Sequence, residues 1–121
     1  MNTVTGHTNA IPASRVIGTD VFNTDGERIG VIEDVMLEKN SNGIMFAVIG
    51  FGGFLGIGEK YHALPWSSLD YEKSRGGYVV PFTKDQLKAA PAHSINELTG
   101  EDGRSVRDES YEYYKVTPYW Y

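Results

Sequence analysis

The stretch with the clearest chemical potential is residues 50–66, GFGGFLGIGEKYHALPW, which has five glycines in its first nine positions. Glycine-rich loops let backbone N–H groups approach a phosphate, so nucleotide binding is the first chemistry to test. The dinucleotide fingerprint G-x-G-x-x-G must open a helix. Gly50 and Gly52 fit it, but Leu55 stands at the third glycine. The following residues include Pro65 and show no helical periodicity, so no helix is predicted to bind the phosphate.

The same run also departs from the phosphate loop G-x-x-x-x-G-K-[ST]. Gly53 and Gly58 are correctly separated, but Glu59 stands where the lysine is needed, and Tyr61 follows Lys60. We therefore interpret the glycines as turn residues between two strands, where they allow positive φ or close backbone approach. No cofactor is predicted.

Large apolar side chains on this loop need a separate explanation, because a glycine turn does not require them. They either fold back over the domain or contact a partner, and both alternatives stay open. For function, we take the loop as the first part of a candidate interaction surface. Its residues are Gly53, Phe54, Leu55, Gly56, Ile57 and Gly58.

The C-terminal tail supplies the second part of this surface, because six of the last eleven residues are aromatic. Aromatic rings can stack on nucleobases, but acidic residues outnumber basic ones around the tail and would repel phosphate. The tail docks either on its own domain, on a second copy or on another partner. Tyr and Trp suit interfaces, and we select Tyr119 and Trp120 as the candidate contacts.

Metal and thiol chemistry are not predicted. The chain has no cysteine, which excludes thiolate zinc sites and cysteine nucleophiles. The three histidines, His7, His62 and His93, are far apart and lack metal-ligand spacing. His62 is predicted to lie on the barrel surface or to be a hydrogen-bonded core residue.

Acid–base or nucleophilic catalysis is not predicted either. Glu33 and Asp34 form an acidic pair, for which we expect Asp34 to bind buried backbone amides and Glu33 to be solvated or paired. A cluster of Glu33 with Asp20 and Glu59 stays open. Ser67 and Ser68 lack the Gly-x-Ser-x-Gly elbow of a nucleophile. We expect a protein that is not an enzyme.

Length and charge narrow the class further. The 121 residues fit one domain, and the formal net charge of −5 counts against DNA and RNA as partners. No stretch approaches the length of a membrane span. The first thirteen residues contain neither Lys nor Arg nor an apolar segment, so we expect no signal peptide and a cytoplasmic location.

The elements that must position these residues are mostly short strands, separated by turns at 23–26, 40–43 and 74–77. Ile29, Val31, Val35 and Leu37 are predicted to share one face, with a bulge at Glu33. Six strands at this spacing are typical of a small antiparallel barrel or sandwich. They are predicted at Val16–Phe22, Arg28–Leu37, Ile44–Phe51, Tyr61–Trp66, Ser67–Tyr71 and Tyr78–Phe82.

Helices are predicted after the last strand. Thr83 and Gln86 form a capping box, and Pro91 ends that helix at about Ala90. A one-turn helix follows at Ser94–Leu98, with Glu97 completing a second capping box and Gly100 as the stop. A final helix is predicted at Ser105–Lys115. The predicted organisation is a loose arm over 1–13, a β domain with its helix over 14–91, and a helical, aromatic extension over 92–121.

The order of these features resembles the PRC-barrel family, named for the cytoplasmic domain of the photosynthetic reaction-centre H subunit. The matching stretches are VIG at 16–18, GERIGVIEDV at 26–35, GGFLGIGE at 52–59, ALPW at 63–66, and 83–91. The closing Pro-Tyr-Trp is similar to the tail of stand-alone bacterial members. The resemblance implies a six-stranded barrel followed by a helix, in a family whose members are mostly not enzymes.

The resemblance implies a non-catalytic protein-interaction barrel. The apolar loop and the aromatic tail add the expectation of a homo-oligomer, a dimer or larger. Two alternatives come from the same resemblance. One is an accessory to a membrane electron-transfer complex that uses quinone, as the reaction-centre subunit is. The other is an accessory in ribosome or RNA maturation, because a related barrel in the ribosome maturation factor binds protein.

Overall fold

The computed structural model describes residues 10–50 and 61–120. Within these ranges the chain forms six strands followed by helices. The strands are β1 Asp20–Phe22, β2 Arg28–Leu37, β3 Ile44–Gly50, β4 His62–Pro65, β5 Asp70–Glu72 and β6 Gly77–Val79. The helices are α1 Ala13–Val16, α2 Lys84–Ala89, α3 Ile95–Leu98 and α4 Arg104–Tyr114, with 3₁₀ turns at Trp66–Ser68 and Gly100–Gly103.

The strands form one sheet in the order β4-β3-β2-β1-β6-β5, in which β1 and β6 are parallel and every other pair is antiparallel. Six strands were predicted and six are observed. A closed antiparallel barrel is not observed. Among the described residues, β4 and β5 are the two edges of an open, mixed sheet. The β1–β6 pair joins strands that are distant in sequence, and the apolar pattern of a strand does not indicate which strand becomes its neighbour.

The first predicted strand, Val16–Phe22, is wrong in its N-terminal half. Helix α1 occupies Ala13–Val16, and the strand begins only at Asp20. The break lies at Gly18, whose φ of +92° is incompatible with an extended run and costs a glycine little.

Strand β2 contains three register shifts. Against β3 the register shifts between Ile32 and Asp34, which confirms the bulge predicted at Glu33, and again between Met36 and Leu37. The third shift lies against β1, opposite Val21 and Phe22. Ile32, before the bulge, is fully buried, whereas Leu37, which follows the last shift against β3, is 61% exposed.

Strand β3 is buried on both faces, as its continuous apolar run predicted. Ala47 and Ile49 belong to the larger core cluster, which also includes Phe82, just before α2, and Leu87 within α2. Met45, Phe46 and Val48 pack in a second cluster with Leu98 of α3 and Val106 of α4. Helix α4 is therefore fixed against one side of the β3–β4 edge, and the C-terminal tail begins from a rigid support.

The helix ends follow the predicted capping signals. Thr83 Oγ1 accepts a hydrogen bond from the Gln86 amide at 3.0 Å, and Gln86 Oε1 accepts one from the Thr83 amide at 2.8 Å. Ser94 and Glu97 form the second capping box, at α3. Helix α3 ends at Leu98, before the predicted stop at Gly100, and Gly100 opens the 3₁₀ turn that leads into α4. In the described residues, no helix is long and apolar enough to cross a membrane.

Candidate interaction surface

The C-terminal tail folds back onto helix α4 around one cation. The guanidinium carbon of Arg107 lies 3.8 Å from the centroid of the Trp120 ring and 5.9 Å from that of Tyr119. The ring of Tyr111, one turn further along the helix, packs edge to face against the Trp120 ring, with 4.8 Å between the two ring centroids. Arg107 is only 5% exposed, and its Nε donates to Asp108 Oδ1 at 3.1 Å. These contacts define a tail site, formed by Arg107 and Tyr111 and occupied by Tyr119 and Trp120.

Electrostatic shifts follow from this packing. Burial raises the pKa of Tyr111 to about 12, and its hydroxyl donates to the Met45 carbonyl at 3.3 Å. Burial also raises the pKa of Tyr119. For Arg107, burial acts to lower the pKa, but hydrogen bonds to Tyr119 and Asp108 outweigh it, and the net shift is upward. The cation therefore stays charged while it is covered by aromatic rings.

A groove of about 420 Å³ borders the tail site. Residues 36–40, at the end of β2 and in the following turn, form one wall, and Thr99, Asp102 and Arg104 form the other. We call it the turn groove. Its charges are mixed, and the Arg104 Nη2 to Asp102 Oδ2 distance is 3.6 Å. Such a surface has no preference for phosphate.

Tyr119 joins the groove to the tail site. Its hydroxyl donates to Glu38 Oε1 in the groove wall at 3.3 Å. Tyr119 itself remains 42% exposed, and neighbouring Leu37 in the same wall is 61% exposed. The two residues give this side of the molecule an apolar and aromatic rim beside a concave surface.

Comparison with known proteins identifies the domain. A family model described as PRC-barrel domain matches residues 8–87. The chain belongs to the PRC-barrel family. This confirms the resemblance drawn from the sequence. The family match ends within α2, so the tail site lies on a part of the PRC-barrel chain beyond the matched region.

One solved structure similar to this PRC-barrel chain is a putative 16S ribosomal RNA processing protein RimM from Pseudomonas aeruginosa. The two share 16% sequence identity at a TM-score of 0.40, over 69% of this chain. The chain spans about half the length of that protein, 50%. No curated protein sequence matches the chain.

The structure of this PRC-barrel chain describes only one of the two parts of the predicted interaction surface. The glycine-loop residues, Gly53 to Gly58, lie outside the described residues. Tyr119 and Trp120 are described, and they dock on their own chain, which was one of the alternatives. The sequence pattern did not indicate Leu37, Glu38 or Arg107 as surface or tail contacts. A signal existed for Arg107, because it stands three and four residues before Ser110 and Tyr111 on the buried face of α4.

The acidic pair does not form an inward site. Glu33 and Asp34 are both exposed, and Asp34 Oδ1 accepts a hydrogen bond from the adjacent Val35 amide at 2.8 Å. The prediction that Asp34 binds buried backbone is therefore wrong, because the bulge turns this segment toward solvent. Asp20 pairs with Arg28 at 2.8 Å, and Glu59 lies outside the described residues.

The histidines lie in two different environments. His62 is a core residue, 2% exposed, and burial together with nearby His93 lowers its pKa to about 4 despite a hydrogen bond with the Pro91 backbone. His93 Nε2 lies 2.9 Å from Glu109 Oε1. His7 lies outside the described residues. Within the described ranges, no three His, Cys, Asp or Glu side chains are arranged to hold a metal ion.

Proposed function

We propose that this PRC-barrel chain is a non-catalytic protein-interaction domain that associates with a second copy through the turn groove. The observation that carries the proposal is the pair of exposed side chains on its rim, Leu37 at 61% and Tyr119 at 42%. Burial of a large apolar side chain contributes roughly 1.5–3 kcal/mol. Because association has its own entropic cost, two such anchors support a weak, concentration-dependent dimer.

The glycine loop stays part of the proposal as a second contact. Phe54, Leu55 and Ile57 were selected on sequence alone, and they carry the same physical argument as Leu37. The two surfaces can be separated by mutation, since each has its own apolar anchor.

Solution mass tests the proposal directly. Light scattering after gel filtration, over a range of loading concentrations, should give a native chain heavier than 13.4 kDa at high concentration. Leu37→Asp should be a folded monomer. Ile17→Asp is the matched control, because Ile17 is also an exposed aliphatic residue, at 45%, but does not line the groove.

Each contrary result points elsewhere. A native chain that stays monomeric at every concentration contradicts self-association. An oligomer that survives Leu37→Asp but dissociates with Leu55→Asp assigns the contact to the glycine loop. Equal effects of Leu37→Asp and Ile17→Asp would mean that the variants act through stability, not through the groove.

The RNA-maturation alternative would require basic residues at the binding surface, whereas this chain has an excess of acidic residues. The chain has 16 acidic and 11 basic residues, whereas RNA binding draws its affinity from cations that displace counterions. Binding of RNA that weakens steeply with added salt would favour this alternative. The quinone-linked alternative would be favoured if crosslinking joins the chain to a membrane redox protein.

A further inference from the structure

The tail site has a feature that sets it apart from ordinary core packing. Both rings that lie over the Arg107 guanidinium, Trp120 and Tyr119, come from the tail. Departure of the tail removes both rings from the guanidinium, so the cation loses this aromatic cover and gains access to water on that side. Removal of one partner from a buried charge is usually costly, and the cost is smaller where the charge gains water as the partner leaves.

The arm that carries these rings is short and has a defined start. Val116 packs against the larger core cluster, and its amide donates to the Tyr111 carbonyl at 3.0 Å. Thr117 is exposed and precedes Pro118, which favours an extended backbone at Thr117. The movable arm is therefore Thr117–Trp120, with a reach of about 10 Å.

The arm also touches the surface proposed for self-association. Tyr119 donates to Glu38 in the wall of the turn groove. A second copy bound in the groove would bring its own arm close to this site, within the arm's short reach.

We propose that the tail site also accepts the tail of a second copy, so that two chains in contact at the turn groove exchange Tyr119 and Trp120. This inference rests on the proposed function, because the groove contact supplies the closeness that a short arm needs. In a free monomer the chain's own tail competes at an effective concentration of about 1 mM, so exchange there is rare.

A synthetic peptide of residues 116–121, VTPYWY, tests the site without involving the groove. The host is the full chain with Trp120→Ser, here the tail variant, which keeps Tyr119 and therefore the rim of the turn groove. The readout is the NMR signal of Arg107 Nε–H, which the Trp120 ring current shifts in the native chain. The peptide should restore the native shift in the tail variant, and a peptide with serine at both aromatic positions should not.

The native chain provides a competition control, because its own tail competes for the site. Its apparent affinity for the peptide should be lower by about tenfold or more. Arg107→Met keeps an unbranched side chain of similar length, and in the tail variant it should abolish peptide binding as followed by neighbouring amide signals. No change in the tail variant at peptide concentrations of about 5 mM, several times the effective concentration of the tail, overturns the site as a separable binding site.

Exchange between chains is then tested by mixing two full-length variants. One is the isotope-labelled tail variant, with an intact site, and the other is unlabelled Arg107→Met, with an intact tail. A native-like Arg107 signal that grows with the concentration of the unlabelled chain supports exchange. If the peptide binds but the mixture leaves the signal unchanged, a second copy is not the occupant. That result would leave the proposed groove dimer, tested by Leu37→Asp, unaffected.

Discussion

Ser110 donates its hydroxyl hydrogen to the Ala63 carbonyl at 2.7 Å, and this bond joins helix α4 to edge strand β4. Both groups are buried. Edge strands leave backbone groups without sheet partners, and a helix side chain here satisfies one of them. The helix that carries the tail site is thus held to the sheet by a specific polar contact as well as by apolar packing.

We expect Ser110→Ala to lower the free energy of unfolding by about 1–2 kcal/mol, because the Ala63 carbonyl would lose its donor while staying buried. Urea unfolding followed by circular dichroism measures this change. Ser105→Ala is the control, since Ser105 is exposed on the same helix and should change stability by less than about 0.5 kcal/mol. Equal effects at the two positions would contradict the role assigned to the Ser110 bond.

His62 should make the protein less stable in mild acid. Its folded pKa of about 4 lies below the ordinary value of 6.5, so between these pH values the unfolded chain binds a proton that the folded chain does not. The contribution of His62 to the free energy of unfolding is therefore fully present above pH 6.5. It falls as the pH drops toward 4, by at most about 1.4 kcal/mol per pH unit.

Unfolding free energies measured from pH 7.5 to 4.5 for the native chain and His62→Gln check this. Carboxylates contribute to the slope of both proteins, so the difference between the curves isolates His62. The difference in unfolding free energy between the native chain and His62→Gln should become smaller as the pH falls, because only the native chain is destabilised by protonation of the histidine. Parallel curves would rule out a neutral, buried His62 as the cause.

Lys115 ends helix α4 in the left-handed conformation, with φ 57° and ψ 44°. A non-glycine residue is strained there, so Lys115→Gly should raise the free energy of unfolding by about 0.5–1 kcal/mol after the added entropy of the unfolded chain is counted. Thermal unfolding will show this as a higher Tm. Lys115→Ala keeps the strain and should change little, and a gain in that variant would implicate the lysine charge instead.

Gly77 lies where strands β1 and β6 meet. A Cβ atom at this position would be 2.6 Å from the Asp20 carbonyl oxygen and 2.8 Å from the Phe22 ring. Gly77→Ala should therefore cost about 1–3 kcal/mol and reduce hydrogen-exchange protection of the β1 and β6 amides. At Gly100 a Cβ would meet nothing within 4 Å, so Gly100→Ala is the control. Unchanged protection in Gly77→Ala would contradict the tight β1–β6 contact.

Local features were predictable because they depend on residues close together in sequence. The Thr83–Gln86 and Ser94–Glu97 capping boxes, the Asn23–Gly26 turn and the bulge at Glu33 all follow from short-range chemistry. Each sets a backbone direction with two to four residues, and the structure has them where they were predicted.

Long-range relationships were not predictable in the same way. The parallel pairing of Val21 with Tyr78 and the covering of Arg107 by Trp120 join distant segments, and apolar patterning does not say which segments meet. The exposed Leu37 follows a register shift between Met36 and Leu37, which the apolar pattern of β2 does not indicate. Sequence therefore predicted two of the residues near the proposed surface, Tyr119 and Trp120, but not the surface that they complete.

The parallel β1–β6 pair has a consequence for synthesis of the chain. As the N-terminal part emerges from the ribosome, β1, β2 and β3 can pair by short hairpins, but the outer side of β1 must wait for β6. During that interval the nascent chain presents Asp20–Phe22 as an open edge to any neighbouring strand. The β5–β6 hairpin is the late segment that covers this edge, so we expect translation pauses before β6 has left the ribosome to increase misfolding more than later pauses.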